Sequence, residues 1–411
     1  MSQTEVQLIK ADAVVTADIA NSAVTDAKIS GLTSSKLTGA LPAISGAALT
    51  GIASAGKAKK LIINGAFQVA QRGTSSTSSG MQTVDRFFCY HNGTNEAPTQ
   101  AQVAVAAGTT PYTSGFRNAL KITNGNQTSG VGSTDYIWIQ HKLEAQDISN
   151  SGWNYTSASS NVTLSFWVKS SVAQDFKGYL RTKDGTSQMY PFATGSLSAD
   201  TWTKITKTIP GNSNLQFDND VNNGLEINIL PFAGTDLTNN ATTEDAWAAY
   251  VAANRTKDNT STWYTTNDAT FEITGVQLEV GNSASDFQHR SFQDELAKCQ
   301  RYYYRYQVPS SSSWVWMGQS NGSDKIWGKI RDFPVLMRAT PTCTISSGGA
   351  WFPIGANSSV GGHSTFTTFN FNQTTTEKLF GTWSGAAGID TDAVVVFANT
   401  VTDYFDASAE L

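Results

Sequence analysis

A flat aromatic ring bordered by amides, hydroxyls and an occasional charge can grip a sugar. The ring takes the C–H face of a pyranose, and the polar groups take its hydroxyls. The segment after residue 307 carries that combination repeatedly. Trp314 and Trp316 follow a run of serines and, two residues apart in a strand, share one face; Trp327 stands beside Asp324 and Lys325; Trp351 and Trp383 flank Gly-rich turns. Upstream, Trp153 with Tyr155 and Trp263 with Tyr264 sit in polar stretches. These are the candidate sugar contacts. Each also has a core reading, because large aromatics dominate the interiors of β structures.

Catalytic chemistry finds less support. There is no Gly-x-Ser-x-Gly elbow, and Cys89, Cys299, Cys343, His91, His141, His289 and His363 are scattered, as neither a disulfide framework nor a zinc site would be. Asp294/Glu295 and Asp390/Asp392 read as helix-start and turn residues, while two carboxylates distant in sequence could still flank a glycosidic bond. Residues 51–58 imitate a phosphate-binding loop but lack its closing Ser/Thr and a preceding strand. A non-enzymatic chain without a cofactor is expected.

Such aromatics need a rigid frame, and the composition indicates which kind. Only 15% of the 411 residues are charged, Lys+Arg 28 against Asp+Glu 33 for a net charge of -5, whereas 11% are aromatic. With Ser, Thr and Asn holding the polar positions, this fits half-buried strands with uncharged outer faces. The absence of a basic run argues against a nucleic-acid partner. No apolar stretch approaches the roughly 20 residues of a membrane span. The start, MSQTEVQLIK, lacks the basic and apolar regions of a secretory signal. A chain suited to the outside but without an export signal is expected to leave the cell within a particle released by lysis.

Residues 1–60 contain no aromatic, and Val24-Thr-Asp-Ala-Lys-Ile29 recurs as Leu32-Thr-Ser-Ser-Lys-Leu37. One apolar position per repeat can be buried only by neighbouring copies, which reads as an oligomeric shaft or anchoring arm, with a disordered tail as the alternative. From residue 61 period-two strands appear at 136–139, 162–168, 202–209 and 271–280. Turn clusters at 211–214 and 218–224 separate them, which predicts an antiparallel sandwich over 61–290. An Ala-rich run predicts a helix at 243–254. A second helix is expected over 291–307, capped by Ser291 with Asp294 and with acidic residues preceding basic ones. Its Phe292, Leu296, Cys299, Tyr303 and Tyr306 fall at heptad spacing, so it reads either as a trimer seam or as a face packed on the sandwich. Residues 308–411 read as a second, smaller β domain.

Four collinear motif groups carry a resemblance. Leu61-Ile-Ile-Asn-Gly-Ala-Phe-Gln68, the strand at 162–170, Asp200-Thr-Trp202 leading into Thr208-Ile-Pro-Gly211, and Ile273-Thr-Gly-Val-Gln-Leu-Glu-Val-Gly281 resemble a carbohydrate-binding-module-like jelly roll of bacteriophage tail fibres. Phe287-Gln-His-Arg-Ser291 and Asp294-Glu-Leu-Ala-Lys-Cys-Gln-Arg-Tyr-Tyr303 resemble the linker helix closing that module. Phe333-Pro-Val-Leu-Met-Arg-Ala-Thr-Pro341 and Tyr404-Phe-Asp-Ala-Ser-Ala-Glu-Leu411 resemble the distal tip domain, and Leu41-Pro-Ala-Ile-Ser-Gly-Ala-Ala-Leu-Thr-Gly51 is similar to virion-proximal repeats.

The resemblance implies an all-β homotrimeric adhesin, assembled in the host cytoplasm into the virion. Residues 1–60 would be held by a tail protein, and the distal domain would meet host surface polysaccharide, with avidity compensating weak single contacts. A purely structural fibre and a polysaccharide-degrading tailspike remain alternatives. Such jelly rolls often hold calcium. Gln68 and Gly275 stand where carboxylates would serve it, so no metal is expected.

Overall fold

The computed structural model describes residues 60–309, 313–320, 324–346, 351–354, 366, 368–371, 373–385, 394–398 and 403–411, all within one compact unit, Ala55–Leu411. The predicted arm at 1–60 thus lies outside the described residues save for Lys60. Among the described residues the structure is mostly β, and every strand pairing is antiparallel. The first twelve are β1 (Ser75–Ser76), β2 (Phe87–Asn92), β3 (Thr99–Ala104), β4 (Asn118–Thr123), β5 (Tyr136–Glu144), β6 (Asn161–Ser170), β7 (Asp175–Thr182), β8 (Gln188–Ser196), β9 (Thr203–Pro210), β10 (Asn223–Ala233), β11 (Ala248–Ala249) and β12 (Thr270–Val280). They form two sheets, ordered β1-β3-β4-β12-β6-β9 and β11-β8-β7-β10-β5-β2, in a jelly-roll-like sandwich.

Alternation explains the layering. In β6, Val162, Leu164, Phe166 and Val168 are all fully buried, as the period-two reading requires. They meet Phe176, Leu180, Ile227 and Ile229 of the facing sheet in one cluster. Burying a side chain of this size stabilises by about 1.5–3 kcal/mol, so the layer outweighs any one surface contact. Three short helices decorate the sandwich: α1 (Thr110–Thr113), α2 (Ala145–Ser149) and α3 (Thr262–Thr265).

Two expected helices are corrected. Residues 243–254 are not helical. Asp245 has φ +56, Ala248 and Ala249 pair with Met189 and Gln188, and the Trp247 indole donates to Pro210 O at 2.7 Å. Helix propensity in the Ala run yields to aromatic packing against the sheet edge. The helix expected over 291–307 is α4 (Phe292–Gln300), with Ser291 Oγ accepting from the Asp294 N–H at 3.1 Å as its cap. It gives way to β13 (Tyr303–Gln307), because the Tyr-Tyr-Arg-Tyr run also has strand periodicity and finds a partner strand. The heptad seam is therefore not one helical stripe: Phe292 is 54% exposed and Leu296 half-buried, Cys299 is fully enclosed, and Tyr303 and Tyr306 belong to a strand.

The remaining strands are β14 (Ser313–Ser320), β15 (Lys325–Asp332), β16 (Thr342–Ile345), β17 (Trp351–Ile354), β18 (Thr368–Asn370), β19 (Lys378–Ser384), β20 (Val394–Ala398) and β21 (Tyr404–Ser408). They make a three-stranded sheet, β13-β21-β16, and a six-stranded one, β17-β20-β14-β15-β19-β18, around their own apolar cluster.

Ion pairs join this region to the sandwich. Glu410 meets Arg72 and Arg86, Glu144 meets Arg301, and Arg338 donates to Val221 O and Ala409 O. Beside them Asp85 is fully buried, and burial raises its pKa to about 6 although Arg72 and Gln71 pull it down. A carboxyl raised on folding favours the folded state at low pH and loses that contribution as pH rises through about 6. Asp85→Asn should therefore gain stability relative to wild type by about 2 kcal/mol between pH 4.5 and 7.5. Melting curves at the two pH values check this, and a pH-independent difference would contradict it.

Candidate functional site

Most of the tryptophans singled out as sugar contacts are built into cores. Trp263 and Trp383 are fully buried, and Trp153 and Trp316 nearly so. The Trp153 indole donates to Ser160 O at 3.1 Å, that of Trp263 donates to Thr270 O at 3.0 Å, and Trp383 packs edge-on against Trp316 at 5.5 Å. Half-buried Tyr155 packs edge-on against Phe217. None of the four tryptophans presents a ring face to a sugar. Trp327, 36% exposed, does remain at the surface. Trp314 and Trp351 lie on β14 and β17, and their side chains fall outside the described residues; the β14–β20 register shifts between Trp314 and Trp316. Among the six of these residues whose side chains are described, the structure brings no group together into one exposed site.

An aromatic and polar layer stands elsewhere, on the outer side of the β11-β8-β7-β10-β5-β2 sheet; its centre, Gln140, Asn228, Tyr179 and Glu226, is buried, and its aromatic edge is half-buried. Because neighbouring strands are in register, its side chains form rows. One row runs Phe88, Gln140, Asn228, Tyr179, Pro191 across β2, β5, β10, β7 and β8. The next outward-facing row on one side runs Lys142, Glu226, Arg181, Met189, Ala248. On the other side Tyr90 pairs with Trp138, and Asn92 with Tyr136. The interleaved residues, such as Phe87, His141, Ile227, Leu180 and Tyr190, point inward and are buried.

The aromatic end of this face is a connected strip. Tyr136 stacks on Trp138 at 4.1 Å and 12°, Tyr90 meets Trp138 edge-on at 6.3 Å, and Phe88 stacks on Tyr90 at 5.4 Å. All four are half-buried. Residues 234–258 return to this sheet: the Tyr250 N–H donates to Ser187 O, the Arg181 guanidinium lies 3.6 Å from the Tyr250 ring centre, and Arg255 donates to the Tyr250 hydroxyl at 3.1 Å. Arg255 also approaches the Trp138 ring at 5.5 Å.

The polar rows supply directional groups. Gln140 Nε2 donates to Asn228 Oδ1 at 2.8 Å, fixing both amides. Among the described residues Asn228 Nδ2 and Trp138 Nε1 have no partner, a costly state for buried donors. Glu226 faces Arg181 and Lys183. Burial, then the Glu226 charge, pushes the Tyr90 hydroxyl up to about 12, so it stays a donor. Burial also lowers the Lys142 pKa, against the upward pull of Glu226. Half-buried ring faces beside a charged row can hold a hydroxyl-rich ligand. Sequence reasoning placed a strand at 136–139 but missed that its outward phase carries Tyr136, Trp138 and Gln140. Large aromatics on the solvent phase of an alternating strand were the available signal.

Among the described residues no group of three or more His, Cys, Asp or Glu side chains is arranged to hold a metal ion. No family model and no curated protein matches the chain. Solved structures do. Over 54% of its length the chain is similar to the enzymatically active domain of tailspike protein 4 of bacteriophage CBA120, at 8% identity and a TM-score of 0.29, and it spans 21% of that domain. Over 53% it is similar to the N-terminal cellulose-binding domain of Cellulomonas fimi β-1,4-glucanase C, at 10% identity and a TM-score of 0.27, covering 100% of that domain. Over 52% it is similar to a family 11 carbohydrate-binding module from Clostridium thermocellum in complex with a β-1,3-1,4-mixed-linked tetrasaccharide, at 13% identity and a TM-score of 0.24, covering 98% of that module.

Proposed function

We propose that this chain is a glycan-binding adhesin, the receptor-binding protein of a phage tail fibre. In this reading it works as a homotrimer anchored to the virion through residues 1–60 and grips host surface polysaccharide with the outer face of the β2–β5–β10 side of the sandwich. The observation that carries the sugar-binding part is the half-buried strip Phe88, Tyr90, Trp138, Tyr136 beside the half-buried cations Lys142 and Arg181. Rings stack on pyranose C–H faces, and the Lys142 and Arg181 N–H groups donate to ligand hydroxyls.

The face binds without cleaving. A glycosidase needs two carboxyl groups free to flank the scissile bond across a cleft. Of the carboxylates on or beside this face, Glu226 faces Arg181 and Lys183, Glu144 faces Arg301, and Asp175 and Glu244 share Lys177.

Trp138→Ala tests the reading, because it removes the centre of the strip. Aromatic anchors of this kind are worth about 2 kcal/mol or more, so affinity on a glycan array should fall by about 30-fold. An unchanged glycan profile in the folded variant would move the site off this sheet.

A further inference from the structure

The opposite sheet carries a cavity of its own, created by a break in strand pairing. β12 pairs with β4 only as far as Ile273. There a bulge inserts Gly275 and Val276, and the strand beyond it bonds to the segment at 61–65 through Val276 N to Gly65 O and Leu61 N to Leu278 O. Gly275 takes φ +66, and a Cβ there would sit 2.6 Å from the Phe116 ring, so only glycine lets that ring form the floor. Phe287 closes on Phe116 edge-on at 4.8 Å. The resulting cavity measures about 490 Å³, within the roughly 300–1,000 Å³ of small-molecule sites.

Its walls are of two kinds. Trp167 on β6, half-buried, gives an aromatic flank beside Phe287. Ser165, Ser285, Lys204 and Asp286 supply hydroxyls and one charge of each sign. Lys204 is the cross-strand partner of Trp167, and both it and Asp286 are exposed; among the described residues neither forms an ion pair. Behind this wall Gln277, the cross-strand partner of Ser165, is buried. Its Nε2 donates to Glu279 Oε1 at 2.9 Å and to Ser285 Oγ at 3.4 Å, while Oε1 has no partner among the described residues.

We propose that this cavity is a second, independent saccharide site, selective for a neutral pyranose. A sugar hydroxyl both accepts and donates, so it bridges the Lys204 ammonium and the Asp286 carboxylate while its C–H face lies on Trp167. An anionic sugar would gain at Lys204 but be repelled at Asp286, which sets the preference for a neutral one. Sites on both sheets would let one sandwich bridge two glycan chains, which raises avidity without new contacts.

The test uses the full chain labelled with 5-fluorotryptophan, titrated with methyl β-D-glucopyranoside, methyl β-D-galactopyranoside, methyl α-D-mannopyranoside and N-acetyl-D-glucosamine and read by fluorine NMR. The Trp167 and Trp138 signals are assigned by their loss in Trp167→Phe and Trp138→Phe. The expected result is a saturable shift of the Trp167 signal with at least one sugar. It should be weakened at least tenfold in the Lys204→Ala/Asp286→Ala double variant, whose two exposed positions leave the core untouched, and unchanged in Trp138→Ala. Only linear drift with all four sugars would overturn the proposal, as would an unaltered response in the double variant or loss of the response in Trp138→Ala. The Trp138 signal reports the other face separately, so failure of one site does not obscure the other.

Discussion

Trp263→Ala should destabilise the protein by about 3–5 kcal/mol while leaving the glycan affinity of the folded fraction unchanged. The indole is fully enclosed, its Nε1 donates to Thr270 O at 3.0 Å, and its backbone N–H donates to Gln174 Oε1 at 2.9 Å. It touches Phe176 edge-on, and its neighbour Tyr264 stacks on Phe232 at 4.2 Å and donates to Asp135 at 3.0 Å. Truncation leaves a large void between the sheets and strips a buried carbonyl of its donor, two costs that add. Urea unfolding measures the loss, and binding at low temperature measures the affinity. A variant as stable as wild type that no longer binds sugar would return Trp263 to the ligand site. Set beside Trp138→Ala, the pair separates two roles of one residue type: enclosed tryptophan should register in stability, and strip tryptophan in affinity.

That separation also explains what the sequence revealed. Strand β6 was legible because Val162, Leu164, Phe166 and Val168 alternate with smaller polar residues and nothing local competes. The Ser291 cap was legible because its partner lies three residues away. Beyond such local signals, tertiary partners decided the outcome. Tyr303 and Tyr306 satisfy both a heptad and a strand pattern, and only the presence of Tyr404–Ser408 alongside selects the strand. Trp247 and Tyr250 likewise draw an Ala-rich run onto a sheet edge instead of into a helix.

The candidate site was obscured for a related reason. Gln140, Asn228 and Tyr179 lie on three strands far apart in sequence, and only register aligns them. Tryptophan frequency pointed to the C-terminal region, yet Trp316 and Trp383 are dense there because a small core needs large side chains to fill it. The more telling pattern was phase: Tyr136 and Trp138, on the outward side of β5, lie outside the core between the sheets and pack instead, half-buried, with Tyr179, Leu230 and Tyr250.

Glu144→Ala should cost about 3–5 kcal/mol and loosen the junction between the sandwich and the C-terminal sheets. The Glu144 side chain is fully buried at the end of β5, where it accepts from Arg301 Nε at 3.0 Å and Nη2 at 2.9 Å, from the Tyr302 hydroxyl, and from Gln146 at 2.6 Å. Deleting it strands a guanidinium and a hydroxyl; because the Arg301 side chain is 29% exposed, water offsets part of the loss, which places the effect nearer the lower figure. Burial pushes the Glu144 carboxyl up, but the hydrogen bonds from Arg301 and Tyr302, with the Arg301 charge, outweigh it and hold the carboxyl below its ordinary value of 4.5. A depressed carboxyl stabilises the fold above the unfolded value, and that contribution is lost as pH falls through the folded one. Acid should therefore loosen wild type at this junction below about pH 4.5 and change Glu144→Ala less. The consequence extends to the sugar face, because Lys142, two residues away on the same side of β5, donates to Leu411 O at 2.8 Å and so ties the charged row to the C-terminal strand segment. In a double-mutant cycle, Glu144→Ala with Arg301→Ala should cost clearly less than the sum of the single changes. Strict additivity would mean that the two side chains do not hold the junction together.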